Sequence, residues 1–501
     1  MLSHHLLRKS ALLLLAIGVA RAQKNAAYQP AIPHVWEEQA LREMELPLVV
    51  PKYSPKPISA DYYYRIPARN IYKSYPIYAP GRAPRGYLDK LKTLEPEIAF
   101  DTAKLKTKGD WIRAGEIVFE APTEIDESGP FAAAVSDPRW YAHTGVRLTP
   151  EGIMPYARYV IRTRGKVEVG GLSCATCHTA VLADGAVIKA GPGNAPLDRT
   201  NAFLYRRLGL LLARRDFLSL FTVPWLPERT REFESYSLDE IAGIWDAIPL
   251  GVLARNRSSP FFPPAVPDLH GVRDRRYLDK SGLNQHRGIP DLMRYAAMAE
   301  GIEFLSSFGG FIPNGGDKFD TLPKPESLTR FSEEQLYALA LWLYSREPPP
   351  NPHPPSAVQV RAGQKIFERE GCGQCHTPPL YTNNKLTPAQ GFDVPPEHRS
   401  RYDILLVMVG TDPHLTMETR RGTGYYKVPS LRGLWYRGLF EHNGSVATLE
   451  DWFDPKRLQD AYVPTGFRGY GMKTRAVKGH EFGLKLPPSD KQALIAFLRT
   501  L

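Results

Sequence analysis

The sequence predicts a mainly helical protein, with two similarly built units behind an irregular N-terminal arm and a few short β-hairpins. Three observations carry this. The pentapeptide Cys174-Ala175-Thr176-Cys177-His178 returns 198 residues later as Cys372-Gly373-Gln374-Cys375-His376. Each copy is followed by loops and then by helical periodicity opening on a capping box, Ser332-Glu333-Glu334-Gln335 and Ser489-Asp490-Lys491-Gln492. Between the two units, Pro348-Pro349-Pro350-Asn351-Pro352-His353-Pro354-Pro355 forms a stiff, extended linker.

The order Cys, two spacers, Cys, His is what a covalently attached c-type haem requires. The two thiols form thioethers with the vinyl groups, and the adjacent imidazole ligates the iron. The chain has four cysteines, and the two motifs use them all. A zinc site would need two more ligands beside each pair, and a redox CxxC has no use for a trailing His in both copies. The expectation is therefore two class I cytochrome c-like domains and two haems, bound through Cys174, Cys177, Cys372 and Cys375. His178 and His376 are the proximal iron ligands.

Met1 to Ala22 reads as a secretory signal: a polar, basic start (His4, His5, Arg8, Lys9), an apolar stretch from Ala11 to Ala20, and a small-x-small site at Ala20-Arg21-Ala22. The apolar run is too short to span a bilayer, and no later run is long enough. A periplasmic or secreted protein is expected. Residues 23–146 are dense in Pro and Tyr. Ala60 to Pro67 and the tyrosines that follow (Tyr72, Tyr75, Tyr78, Tyr87) suggest an extended covering arm, and Gly109 to Phe119 suggests a hairpin around a glycine.

The first haem domain is expected over 147–347. Thr149-Pro150-Glu151-Gly152 would open a helix, with Ile153, Tyr156, Ala157, Val160 and Ile161 at helical spacing. Candidates for the sixth ligand of its iron are His270, His286, Met293 and Met298, the two methionines lying in a helical run that also reads as core. Without a strong sixth ligand the iron is open, with Asn194, His286 and Arg287 as candidate pocket residues. Trp245 reads as a core residue or a bridge between haems. The linker covers 348–356 and the second domain 357–501, beginning with a helix from Ala357 to Glu370.

The formal charge is +11. Loss of the signal leaves about +8, and four haem propionates would lower it further. No Lys/Arg run supports nucleic-acid binding. Arginines suited to forked carboxylate pairing would serve the propionates, and a basic face suits an acidic electron-transfer partner.

Tyr426-Lys427-Val428-Pro429-Ser430-Leu431-Arg432-Gly433, followed by Phe440-Glu441-His442-Asn443-Gly444-Ser445-Val446, resembles the signature of the bacterial di-haem cytochrome c peroxidase superfamily, which includes the methylamine dehydrogenase maturation enzyme. In layout the chain is most similar to the secreted di-haem rubber oxygenases. The resemblance implies one haem that reacts with a small oxidant, peroxide or dioxygen, and a second that passes electrons. The alternative is a plain electron-transfer cytochrome with no open iron.

The peroxidases place a Met ligand a little beyond the signature His; Pro455-Lys456 stands there in this chain. His480 is similar in place to the distal His of the rubber oxygenases, which implies a bis-His second haem, with Met472 as the other candidate. Where the peroxidases have a distal His after the first CxxCH, this chain has Asn194, which favours oxygen activation. By the same comparison His442 supports its surroundings rather than ligating iron. The family's interdomain calcium is held by carbonyls, which leave no trace in a sequence.

Overall fold

The structure, a computed structural model, describes residues 28–501 apart from 224, 256, 257 and 317; the expected signal segment lies outside the described residues. Helices dominate, joined by long loops and three small antiparallel sheets. Among the described residues no helix is long and apolar enough to cross a membrane.

The N-terminal arm is more regular than expected. Ala60–Arg65 is a helix (α1) rather than extended chain, because the Ser59 side chain accepts from the Tyr62 amide and so caps it. Trp36 stacks on Tyr63 of α1, and both join the core that holds Met293, Leu336 and Leu339. Ser74–Tyr78 follows as strand β1.

Two further expectations are reversed. Lys108–Glu120, read as a hairpin, is a helix (α2) opened by a capping box between Thr107 and Asp110. The glycine that suggested a turn, Gly115, has a packing role: a Cβ there would lie 2.0 Å from the Ala338 carbonyl oxygen. Ile153–Val160, read as a helix, is the strand β3. It pairs with β1 and with β4 (Glu168–Gly170) in a sheet of order β1-β3-β4-β2, where β2 is Ile125–Asp126. Pro155 has no amide hydrogen for a helix interior, and β-branched and aromatic residues suit the sheet, so tertiary pairing overrides a coincidental spacing.

Cys174–His178 forms one helical turn (α3) capped by Ser173. It is followed by the β5–β6 hairpin (Thr179–Val181 and Val187–Lys189) and the helices α4 (Leu197–Leu208), α5 (Leu238–Asp246), α6 (Ile289–Ala299) and α7 (Glu333–Tyr344). The expected capping box at Ser332 and Gln335 is present. Beyond the linker come α8 (Ala357–Arg369), the strands β7 (Leu386–Pro388) and β8 (Tyr425–Lys427), and the last helix, α9 (Pro488–Leu498). The capping box expected at Ser489 is absent, because α9 starts two residues earlier, with Pro487 as N-cap and Pro488 as its first residue, and has no side-chain cap.

The pairing of these helices shows the repeat. α2 packs on α7 and α8 packs on α9. Gly115 gives α2 its close approach to Ala338 and Trp342; Gly363 gives α8 the same approach to Ala493 and Phe497, a Cβ at Gly363 falling 1.9 Å from the Ala493 carbonyl oxygen. Both contacts use residues four apart on the closing helix, one ridge into one groove. Each leading helix also contacts its CxxCH turn, and three strands of the four-stranded sheet, β2 to β4, lie in the chain between α2 and α3, whereas β1 precedes α2.

Candidate functional site: two CxxCH turns around a pseudo-twofold

Each CxxCH histidine is held the same way. The His178 Nδ1 donates to the Pro267 carbonyl at 3.1 Å, and the His376 Nδ1 donates to the Pro429 carbonyl at 3.1 Å. That bond fixes the tautomer and leaves Nε2 as the nitrogen available to a metal. Burial pushes the His178 imidazole down to about 3 and lowers His376 too, so both are neutral at ordinary pH, as metal ligation requires. All four cysteines are free thiols.

The two prolines belong to matching segments. Val266-Pro267-Asp268-Leu269-His270-Gly271 and Val428-Pro429-Ser430-Leu431-Arg432-Gly433 are 162 residues apart, and the match continues through Arg275 and Arg437, Asp279 and Glu441, and Gly282 and Gly444. Arg275 donates to the carbonyls of Asp268 and His270, and Arg437 donates to those of Ser430 and Arg432. The Gly271 amide bonds the Arg346 carbonyl beyond α7, and the Gly433 amide bonds the Leu501 carbonyl beyond α9.

The units also contact each other reciprocally. The Ala265 amide donates to the His442 carbonyl at 2.8 Å, and its counterpart Lys427 donates to the Lys280 carbonyl at 2.9 Å. Such an exchange of equivalent residues is the mark of an isologous, twofold contact, here within one chain. The Val-Pro-x-Leu-x-Gly segment of the first unit was missed in the sequence because His270 and Asp268 replace Arg432 and Ser430, which left only the second copy conspicuous.

The second turn faces a further imidazole. The His376 and His480 ring centroids are 6.3 Å apart. Two metal–imidazole bonds of about 2 Å, plus roughly 1 Å from each nitrogen to its ring centre, give about 6 Å, so one iron fits between them. His480 is wedged against Trp452 and Phe482, sits at a left-handed φ of 46°, and is driven down to about 4 by burial and by His376. A non-glycine residue held in that conformation is over-determined by its surroundings: the His480 amide donates to the Val409 carbonyl, and its carbonyl accepts from buried Arg457. Met472 is exposed on the surface.

The residues named for the first iron have partners of their own, except that the His270 contacts leave its Nε2 without a hydrogen bond among the described residues and the two methionines are simply buried. His270 donates to Asp268, which also accepts from Tyr436. The His286 Nδ1 donates to the Arg275 carbonyl, and its Nε2 accepts from the Tyr344 hydroxyl. Met293 and Met298 are buried in α6 within the core. Arg287 pairs with Asp291. The Asn194 side chain bonds both backbone groups of Val181 and the Tyr156 hydroxyl, stapling its loop to β5. Trp245 packs in α5 against Phe217 and Tyr205, and His442 pairs with Glu441 and stacks on Tyr426. Among the described residues no group of three or more His, Cys, Asp or Glu side chains gathers as a metal cluster.

A cavity of about 310 Å³ runs from Cys372, Cys375, His376 and His480 to the interface residues Lys280, Lys427 and Arg437. The two cysteine pairs and their histidines are compatible with two c-type haem sites, and the cavity adjoins the second of them.

No family model matches the chain. No curated protein matches it either. Among solved structures, the chain is similar to hydrazine synthase from Kuenenia stuttgartiensis, at 17% identity and a TM-score of 0.31, over 58% of this chain and 88% of that one.

Proposed function

We propose that the chain is an exported di-haem c-type cytochrome oxidoreductase. The first haem, at Cys174 and Cys177, meets a small oxidant such as peroxide or dioxygen, and the second, at Cys372 and Cys375, serves as electron store. One observation carries this reading: His376 has the His480 ring opposite it, whereas the rings of His270 and His286 meet Tyr436 and Tyr344 instead of His178. A haem iron with one free face binds and activates small oxidants, and one closed by two imidazoles only exchanges electrons.

The chain's own contribution is positional. Pro267 and Pro429 orient the two imidazoles, Arg457 holds the His480 loop, and the pseudo-twofold contact fixes the two units against each other. The helix pairing supports starting the first unit at Lys108, with 28–107 as the covering arm.

Carbon monoxide added to the reduced, haem-loaded protein tests the reading. One of the two haems should take it up. If neither does, the protein is an electron carrier and the oxidant-binding role is wrong.

A further inference from the structure

Four cations gather where the two units meet, and among the described residues none of them is in an ion pair. Arg275 and Arg437 spend their forks on backbone carbonyls. The Lys427 Nζ donates to the carbonyls of Tyr277 and Leu278 at 3.0 and 2.9 Å. Lys280 lines the cavity without a hydrogen-bonded or ion-paired partner among the described residues.

The nearby carboxylates are committed elsewhere. Asp268 binds His270 and Tyr436, Glu441 binds His442, and Asp279 accepts from Ser281, Leu283 and Asn284. Burial and the neighbouring Arg437 hold the Lys280 ammonium down to about 8, and burial likewise lowers Lys427. Glu441, Asp268 and Asp279 act on Lys280, Arg275 and Lys427 only from beyond ion-pair distance, and interior cations so incompletely compensated are disfavoured, so the cluster calls for a further anion.

The cavity that these side chains line is the one that reaches Cys372, Cys375, His376 and His480. The pseudo-twofold makes the arrangement one-sided: the counterparts of Lys427 and Lys280 are Ala265 and His442.

We propose that Lys280, Lys427, Arg275 and Arg437 form the receptor for the carboxylate tails of the haem bound at Cys372 and Cys375, with Lys280 reaching across from the first unit. This rests on the di-haem reading above. The receptor raises the reduction potential of that haem, because a cation beside it stabilises the added electron. At the equivalent place in the first unit, Ala265 and His442 stand where the second has Lys427 and Lys280.

The test is a redox titration of the haem-loaded Lys280→Gln protein, followed by the absorbance of the bis-His haem. Loss of one charge at about 10 Å in the protein interior should lower its reduction equilibrium constant about tenfold, or 59 mV for one electron. The other haem should move less, and Lys280→Gln/Lys427→Gln should move the bis-His haem further. Lys485→Gln, an exposed lysine of the same unit, should leave it in place. Two covalent haems per chain with an unmoved potential in Lys280→Gln would overturn the receptor. A parent chain that takes up no covalent haem would instead overturn the di-haem reading.

Discussion

Arg457 offers the sharpest handle on how the second site is closed. Its side chain is fully buried, stacks 4.9 Å over Trp452, and donates to three backbone carbonyls: Trp452 at 2.9 Å, Val477 at 2.6 Å and His480 at 2.9 Å. It thus ties the short helix beside the site to both ends of the His480 loop. Lysine keeps the charge but has no planar fork, so Arg457→Lys can satisfy only part of this set. A hydrogen bond from a charged donor contributes about 1.5–3 kcal/mol, and the bond to His480 acts directly on the ligand loop. Losing it shifts the closed-to-open balance of that loop roughly tenfold to a hundredfold. The haem-loaded variant should therefore show a high-spin fraction at the second haem by absorption and electron paramagnetic resonance. Added imidazole should restore the low-spin signal. An Arg457→Lys protein with the parent's fully low-spin spectrum would show that the loop is held by other means.

Further predictions follow from separate parts of the molecule. Gly363→Ala drives a methyl into the Ala493 carbonyl and the Phe497 Cβ, so it should lower stability by about 1–3 kcal/mol in denaturant titration, whereas Gly391→Ala, with open space around it and only its left-handed φ against it, should cost less. Asn194→Ala removes the staple to β5 and should cost about 1–3 kcal/mol while leaving the spectrum of the first haem unchanged; a changed spectrum would place Asn194 at the iron instead.

Glu300 is buried 3.5 Å from Arg69, and burial pushes its carboxyl up to about 7. A group raised in the folded state favours folding below its unfolded value and loses that contribution as pH rises through the folded one. Between pH 4.5 and 7 the stability of the parent should therefore fall by about 3 kcal/mol relative to Glu300→Gln, measured in denaturant at each pH; a constant gap would refute it.

The amino-acid sequence by itself settled what depends on local chemistry. The two CxxCH motifs, the helices closing on Tyr344 and opening at Ala357, and the capping box at Ser332 are written in adjacent residues, and the structure shows those helices. The proximity of His480 to His376 was also foreseen, through a family resemblance rather than through spacing.

What the sequence left open depends on partners far away in the chain. Gly115 looks like a turn until Ala338 is placed against it, and Ile153–Val160 has helical spacing until β1 and β4 flank it. Asn194, His286 and Arg287 are polar residues whose partners, Val181, Tyr344 and Asp291, only the folded chain reveals. The reciprocal bonds of Ala265 to His442 and Lys427 to Lys280, and the cation cluster they assemble, arise where two weakly similar halves meet. Local pattern chooses an element where backbone and side chain can satisfy each other within a few residues. Where a group must be satisfied across the interface, three-dimensional packing alone decides.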